Sequence, residues 1–265
     1  TMKHLFIIIV LSINAVLSFD GPTKNPNVSG FHQNSNKTIL PEIHEKANQW
    51  VQNRSMKFLE NKGQIADADG NPVPYVLFEV KSCGVNMYIT EKGITYFFQK
   101  AVNDKDQNDN GEDLFLKANV KPEKIRTKWN RIDMLLKGAD IKKENVQKEG
   151  ASGTDYNYFF GHCPQGIYGV KEYEKIIIKN IYHGIDWVLY NSNKRGFKYD
   201  FVVHPGANPD EIQLVYSSAE KLSITSEGAI KINTSYGELT EQSPETFLDG
   251  KVVASRFKQL SSMKN

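Results

Sequence analysis

Asp186 and Asp200 are the residues of this chain best placed for acid–base chemistry. Each lies in a short β-patterned run, IDWVLY (185–190) and FKYDFVV (197–203), and the polar stretch 191–195 joins the two. If the runs pair, the carboxylates come onto neighbouring strands. Two carboxylates about 5–10 Å apart across a cleft can cleave a glycosidic bond, one as acid and the other as base or nucleophile. Trp187, Tyr190 and Tyr199 would then line the cleft and stack on sugar rings. The plainer reading gives both aspartates structural work, capping a turn or pairing with Arg195 or Lys198.

Other candidate chemistry is thinner. Asp106, Asn108 and Asn110, followed by Gly111, match the first six positions of an EF-hand-type calcium loop. Position twelve is Lys117, where calcium needs a bidentate glutamate, so a solvated acidic loop is the stronger reading. His162, His183 and His204 fall in the β-rich part, and Cys163 adjoins His162. None has the paired spacing of a zinc site, so no metal is expected. Ser152 lies in a glycine-flanked stretch without the strand–turn–helix context of a nucleophile elbow. Asn27, Asn36, Asn53 and Asn233 fit the N-x-S/T pattern, which by itself carries no function here.

The elements that position these residues are strands. Phe197, Tyr199, Phe201 and Val203 alternate with Lys198, Asp200, Val202 and His204, the period of a strand with one buried face. Gly184 enters the preceding run, and a hairpin through 191–195 is expected. Pro205-Gly206 and Asn208-Pro209 mark turns, since proline fixes φ and glycine permits positive φ. Further strands are expected at 57–60, 75–81, 85–90, 94–100 and 129–137 in a first half (56–150). A second half (151–265) carries the GID and YDFVVHPGA motifs, with strands at 156–160, 175–182, 212–216, 222–225, 229–233, 245–248 and 252–257. Many short strands with glycine turns predict an all-β, antiparallel sandwich, built as one unit or as two packed β subdomains. Residues 41–52 have helical spacing of Ile43, Ala47, Trp50 and Val51 behind Pro41, which predicts a short N-terminal helix.

Five phrases give the chain a family resemblance: FLENKGQ (58–64), MYITEKGITYFF (87–98), NYFFG (157–161), IYHGIDWVLY (181–190) and YDFVVHPGANPDEIQL (199–214). In this order they resemble the N-terminal domain of secreted bacterial proteins with seven-bladed β-propeller (SBBP) repeats, many of them surface proteins of Bacteroidetes-type bacteria. The resemblance covers roughly residues 56–250. Two local departures are His162-Cys163 after NYFFG and Ile167 in place of a tryptophan. The resemblance implies structural motif positions at Gly184, Asp186, Asp200, Pro205 and Gly206, and it transfers no catalytic residue. It also implies downstream propeller repeats and a sorting region, so a fragment or truncated member is expected.

The start of the chain agrees with export. Lys3 and His4 precede the apolar stretch Leu5–Leu17, and Val16-Leu17-Ser18 suits a cleavage site. This predicts a signal peptide over 1–18, because the stretch is shorter than the roughly 20 residues a membrane helix takes. Residues 19–55, polar at first and including the expected helix, form a leader. No later stretch is apolar enough to be a transmembrane helix. A net charge of +2 gives no field for nucleic acid. In an oxidising exterior Cys83 and Cys163 either pair or stay separate thiols. The expectation is a non-catalytic module of a secreted or outer-surface protein of a Gram-negative bacterium. It would be structural or adhesive and meet an extracellular protein or glycan. A carbohydrate-binding or glycoside-hydrolysing domain using Asp186 and Asp200 is the alternative.

Overall fold

Alternation of apolar and polar side chains is realised as strand after strand. The computed structural model describes residues 7–16, 56–81, 85–103, 125–192, 196–219, 221–234 and 237–260. The strands among them are β1 (Ile7–Val16), β2 (Phe58–Glu60), β3 (Val76–Lys81), β4 (Val85–Thr90), β5 (Gly93–Asn103), β6 (Ile125–Leu136), β7 (Val146–Phe160) and β8 (Cys163–Tyr182). They continue with β9 (Ile185–Ser192), β10 (Gly196–Val203), β11 (Leu214–Ser217), β12 (Lys221–Ile224), β13 (Ile230–Thr234), β14 (Gly237–Glu241), β15 (Glu245–Leu248) and β16 (Lys251–Val253). Every strand pairing is antiparallel. The fold is therefore all-β and antiparallel, as the alternation predicts.

Neighbouring strands run in the order β11-β6-β5-β4-β3-β2-β8-β9-β10-β1-β14-β13-β12. The path curls back on itself. Tyr216 on β11, at one end, and Tyr199 on β10 both donate hydrogen bonds to Glu241 on β14, near the other end. A sandwich or half-barrel results, with one core between its walls. Trp187, Tyr96, Tyr199, Phe58, Phe98 and Phe201 are the largest fully buried side chains. Trp187 meets Tyr199 edge-on at 6.0 Å and stacks on Phe201 at 6.5 Å.

Core and pairing both cross the expected division into halves. β2 pairs with β8, β11 pairs with β6, and one apolar cluster takes side chains from both sides. The boundary at 150/151 falls inside β7. β7 and β8 are also longer than their apolar cores suggest. Their outer parts form a two-stranded arm whose side chains are largely exposed, so no apolar alternation marks them.

The segment read as the apolar stretch of a signal peptide is strand β1. Four isoleucines and two valines within ten residues favour extended backbone as strongly as they favour a signal. β1 lies between β10 on one side and β14 and β15 on the other, and Leu11 is 2% exposed. The helix expected at 41–52 lies outside the described residues.

Glu91-Lys92 forms the two-residue turn between β4 and β5, and Gly93 opens β5 opposite Thr90. Gly93 has φ +143°, and a Cβ there would sit 2.1 Å from the Met134 carbonyl oxygen on β6. Gly93→Ala is expected to destabilise the fold by about 3 kcal/mol, combining backbone strain with a clash that separates β5 from β6. A urea unfolding midpoint measures it, and an unchanged midpoint would show that the β4–β5 turn relaxes freely.

Candidate functional site

The β9–β10 hairpin brings Asp186 and Asp200 onto one face. Asp186 stands opposite Val202, and Asp200 opposite Val188. The two residues are thus diagonal neighbours, their backbones about 7–8 Å apart by strand geometry. The same alternation turns Trp187 and Tyr199 to the other face, where each is 0% exposed in the core. The aromatic cleft imagined around the aspartates does not form: of its three rings, only Tyr190 shares their face.

Asp186 is buried and held on three sides. Its Oδ2 accepts from Lys179 Nζ and from His204 Nε2 (2.7 Å), and its Oδ1 accepts from the Asn180 backbone N–H (2.9 Å). Asn180 has φ +52°, and the β8–β9 register slips between Ile178 and Tyr182. Asp186 therefore pins an irregular bend in β8. Among the described residues its partners are Lys179 and His204, not Lys198, because antiparallel pairing sets β8 beside it; Arg195 lies outside the described residues. Burial alone would push this carboxyl up, but hydrogen bonds from Lys179, His204 and the Asn180 N–H, with the charge of Lys179, hold it below the ordinary range.

Asp200 is set differently. Burial pushes its carboxyl up to about 6, opposed by a hydrogen bond from the Tyr190 hydroxyl (3.3 Å) and the charges of Lys198 and Lys175. Two carboxyls with pKa values moved apart are one requirement of acid–base chemistry. Here the ionised member has both oxygens committed to the architecture.

Removing that member tests its role. Asp186→Ala is expected to cost about 2 kcal/mol, since it removes the acceptor shared by the Asn180 N–H, Lys179 and His204, the last two of which are 38% and 36% exposed and can turn to water. Asp186→Asn keeps an acceptor for Asn180 and is expected to lose less. The lowered pKa also gives stability that is present above the ordinary carboxylate pKa of 3.8 and lost as pH falls through the folded value. Both variants should flatten this acid limb in urea titrations. An unchanged limb would show that the clamp is not made in solution.

The remaining motif residues close turns. His183 and Gly184 form a two-residue hairpin turn, and Gly184 (φ +69°) lies so close to Ala207 that a Cβ would come within 3.0 Å of its Cβ. The His204 N–H donates to the Gly184 carbonyl, and the Ala207 N–H to the His204 carbonyl across Pro205-Gly206. The Asn208 side chain accepts from the Asp210 N–H and caps the short 3-10 turn Pro209–Glu211. FLENKGQ works likewise. Asn61 Nδ2 donates to the Val73 and Val76 carbonyls (3.1 and 2.8 Å), and Gln64 Nε2 donates to the Glu60 carbonyl (2.6 Å).

Those turn-forming phrases are also where the family match begins and runs. Residues 58–264 match a domain of unknown function (DUF7948). The chain belongs to the DUF7948 family. No curated protein and no solved structure matches it. The DUF7948 match opens at Phe58, the first residue of β2, and leaves β1 outside it.

Within this DUF7948 domain the other sequence candidates are scattered. Asp106, Asn108, Asn110 and Cys83 lie outside the described residues. Cys163 is a half-buried free thiol. Among the described residues no three His, Cys, Asp or Glu side chains converge as metal ligands, and no helix is long and apolar enough to cross a membrane.

One polar cluster escaped the sequence reading. Glu241 is 1% exposed, accepts from the Tyr199 and Tyr216 hydroxyls, and lies near the buried Tyr96 hydroxyl, which has no partner among the described residues. Burial pushes the Glu241 carboxyl up to about 8. The available signal was parity: Leu239 and Glu241 share a face in β14, which the polar string GELTE hides.

Proposed function

We propose that this DUF7948 domain is a non-catalytic module of an exported bacterial protein, structural or adhesive, that presents a contact surface to an extracellular protein or glycan. The observation that carries this reading is the clamp on Asp186. The residue best placed for catalysis is buried, ionised and committed through both oxygens to Lys179, His204 and the Asn180 N–H. A group held this way stabilises a bend.

The exposed end of the β7–β8 arm supports a contact role. Phe159, Phe160 and Tyr168 are 64%, 45% and 58% exposed. Phe159 packs edge-on against Tyr168, and Phe160 stacks on His162. Residues 156–170 hold no Asp, Glu, Lys or Arg, although such residues make up 24% of the chain. Aromatic enrichment with charge depletion is the composition of interface centres. The SBBP resemblance and the leader's composition support an outer-surface or secreted address and a place ahead of propeller-type repeats.

The test is a glycan array together with a panel of glycoside substrates, run on the full chain and on Asp200→Asn. Turnover that the full chain shows and Asp200→Asn loses would replace this reading with the glycosidase alternative. The expected result is no turnover, with any glycan or protein binding weakened by Phe159→Ser and Tyr168→Ser. Fractionation of the producing cell checks the address, and retention in the cytoplasm would overturn it.

A further inference from the structure

We infer that the outward face of β3–β6, centred on Trp129, is a binding platform for a neutral glycan. The inference rests on the contact-module reading above and gives one surface of that module its ligand class.

Strand register builds the platform. Lys81, Asn86, Phe97 and Arg131 stand opposite one another on β3, β4, β5 and β6, and Glu79, Tyr88, Thr95 and Asp133 form the next row. They alternate with the buried residues Val80, Met87, Tyr96 and Ile132, so their side chains point away from the core. At ordinary strand spacing each row runs about 14 Å across the sheet. Trp129 stands one row further along β6, opposite Gln99 and diagonal to Phe97. Its ring stacks on that of Phe97, with centroids 5.4 Å apart and planes 18° from parallel, and the residue is 61% exposed. Phe97 therefore backs the indole, which stands as an open plate on a paired ladder.

Two observations select the occupant. The first is composition. The end of the β7–β8 arm is aromatic and free of charge, but this face sets one open ring among a guanidinium, an amide, a phenol and a carboxylate. A sugar has the same division. Its C–H bonds meet the negative face of an aromatic ring, and its hydroxyls need both donors and acceptors at the ring's edge. Asp133 accepts from the Thr95 hydroxyl (2.6 Å) and from Arg131 Nε (2.9 Å), which fixes the carboxylate and the guanidinium in place. The Arg131 side chain is 48% exposed, so donors of its five N–H groups beyond those on Asp133 face solvent. The second observation is charge. Arg131 pairs with Asp133 at 2.9 Å, and Lys81 with Glu79 at 3.6 Å, so the charges of the two rows cancel. A face without net charge complements a neutral glycan and gives no attraction to an anionic polysaccharide.

The experiment probes the full chain on an array of neutral and anionic glycans, then titrates the strongest neutral hit at low and high salt. A neutral hit is expected, with a Kd that salt leaves unchanged. Trp129→Ala should raise that Kd about 10-fold, the worth of one stacked ring, and Trp129→Tyr should restore most of the loss. Because Trp129 is exposed, the alanine variant should keep the native urea midpoint. A chain that binds no glycan, that binds only anionic ones, or that binds as well with Trp129→Ala overturns the inference. So does a protein ligand lost with Trp129→Ala when the array shows no hit, since the occupant is then a protein. Failure of the contact-module reading looks different. Turnover of the bound glycan would overturn that reading and leave the platform standing. Binding lost in Phe159→Ser and Tyr168→Ser but intact in Trp129→Ala would put the glycan on the arm, which keeps that reading and removes this one.

Discussion

Replacing Glu241 by glutamine removes a loss of stability of about 5 kcal/mol that the native chain undergoes as pH rises from 4.5 to about 8. The carboxyl lies in the core, where ionisation forfeits hydration and gains only two phenolic hydrogen bonds. Folding therefore raises its pKa from 4.5 to about 8. A raised folded value means that stability is fully present below 4.5 and lost progressively as pH rises through 8. At about 1.4 kcal/mol per pH unit, this interval yields the figure above. Asp200, raised from 3.8 to about 6, acts in the same direction at lower pH and is untouched by the substitution. Urea unfolding at pH 5, 7 and 9 should show the native midpoint falling steeply and that of Glu241→Gln falling little above pH 6. Parallel profiles would mean that Glu241 reaches water.

Trp187→Ala should cost about 4 kcal/mol, a large fraction of the roughly 5–15 kcal/mol by which native domains are stable. The side chain is fully buried, and its loss leaves Tyr199 and Phe201 facing a void under the β9–β10 hairpin. Trp187→Phe separates volume from polarity. The indole N–H has no hydrogen-bond partner among the described residues, so phenylalanine removes an unsatisfied donor together with part of the volume. Its expected cost is within about 1.5 kcal/mol of zero. The check is a thermal or urea midpoint for both variants. A phenylalanine variant as damaged as the alanine one would show that the indole N–H is satisfied in solution.

Much of the architecture was readable because strands carry a local signature. Phe197, Tyr199, Phe201 and Val203 are all buried, as their spacing predicts, although Lys198 between the first two is buried as well. Gly184 and Pro205-Gly206 turn where they do because proline and glycine set φ without help from the rest of the chain. Elements whose side chains face water on both sides left no such trace, which is why the outer parts of β7 and β8 were underestimated. In β1 the signature was present but ambiguous, since an apolar, β-branched decamer suits a signal and a central strand equally well.

The sequence by itself determined the class of fold, the antiparallel hairpins, the turns, and the sides of β9 and β10 that carry Asp186, Asp200 and Trp187. These follow from side-chain period and backbone torsion, both of which act over a few residues. Only the tertiary structure decided which groups meet. Lys179 reaches Asp186 from the strand before it and His204 from the end of the strand after it, while Tyr199 and Tyr216 meet Glu241 because the sheet curls until β11 faces β14. Those contacts are fixed by sheet order and curvature, which arise from burying one common core and are encoded in no single segment.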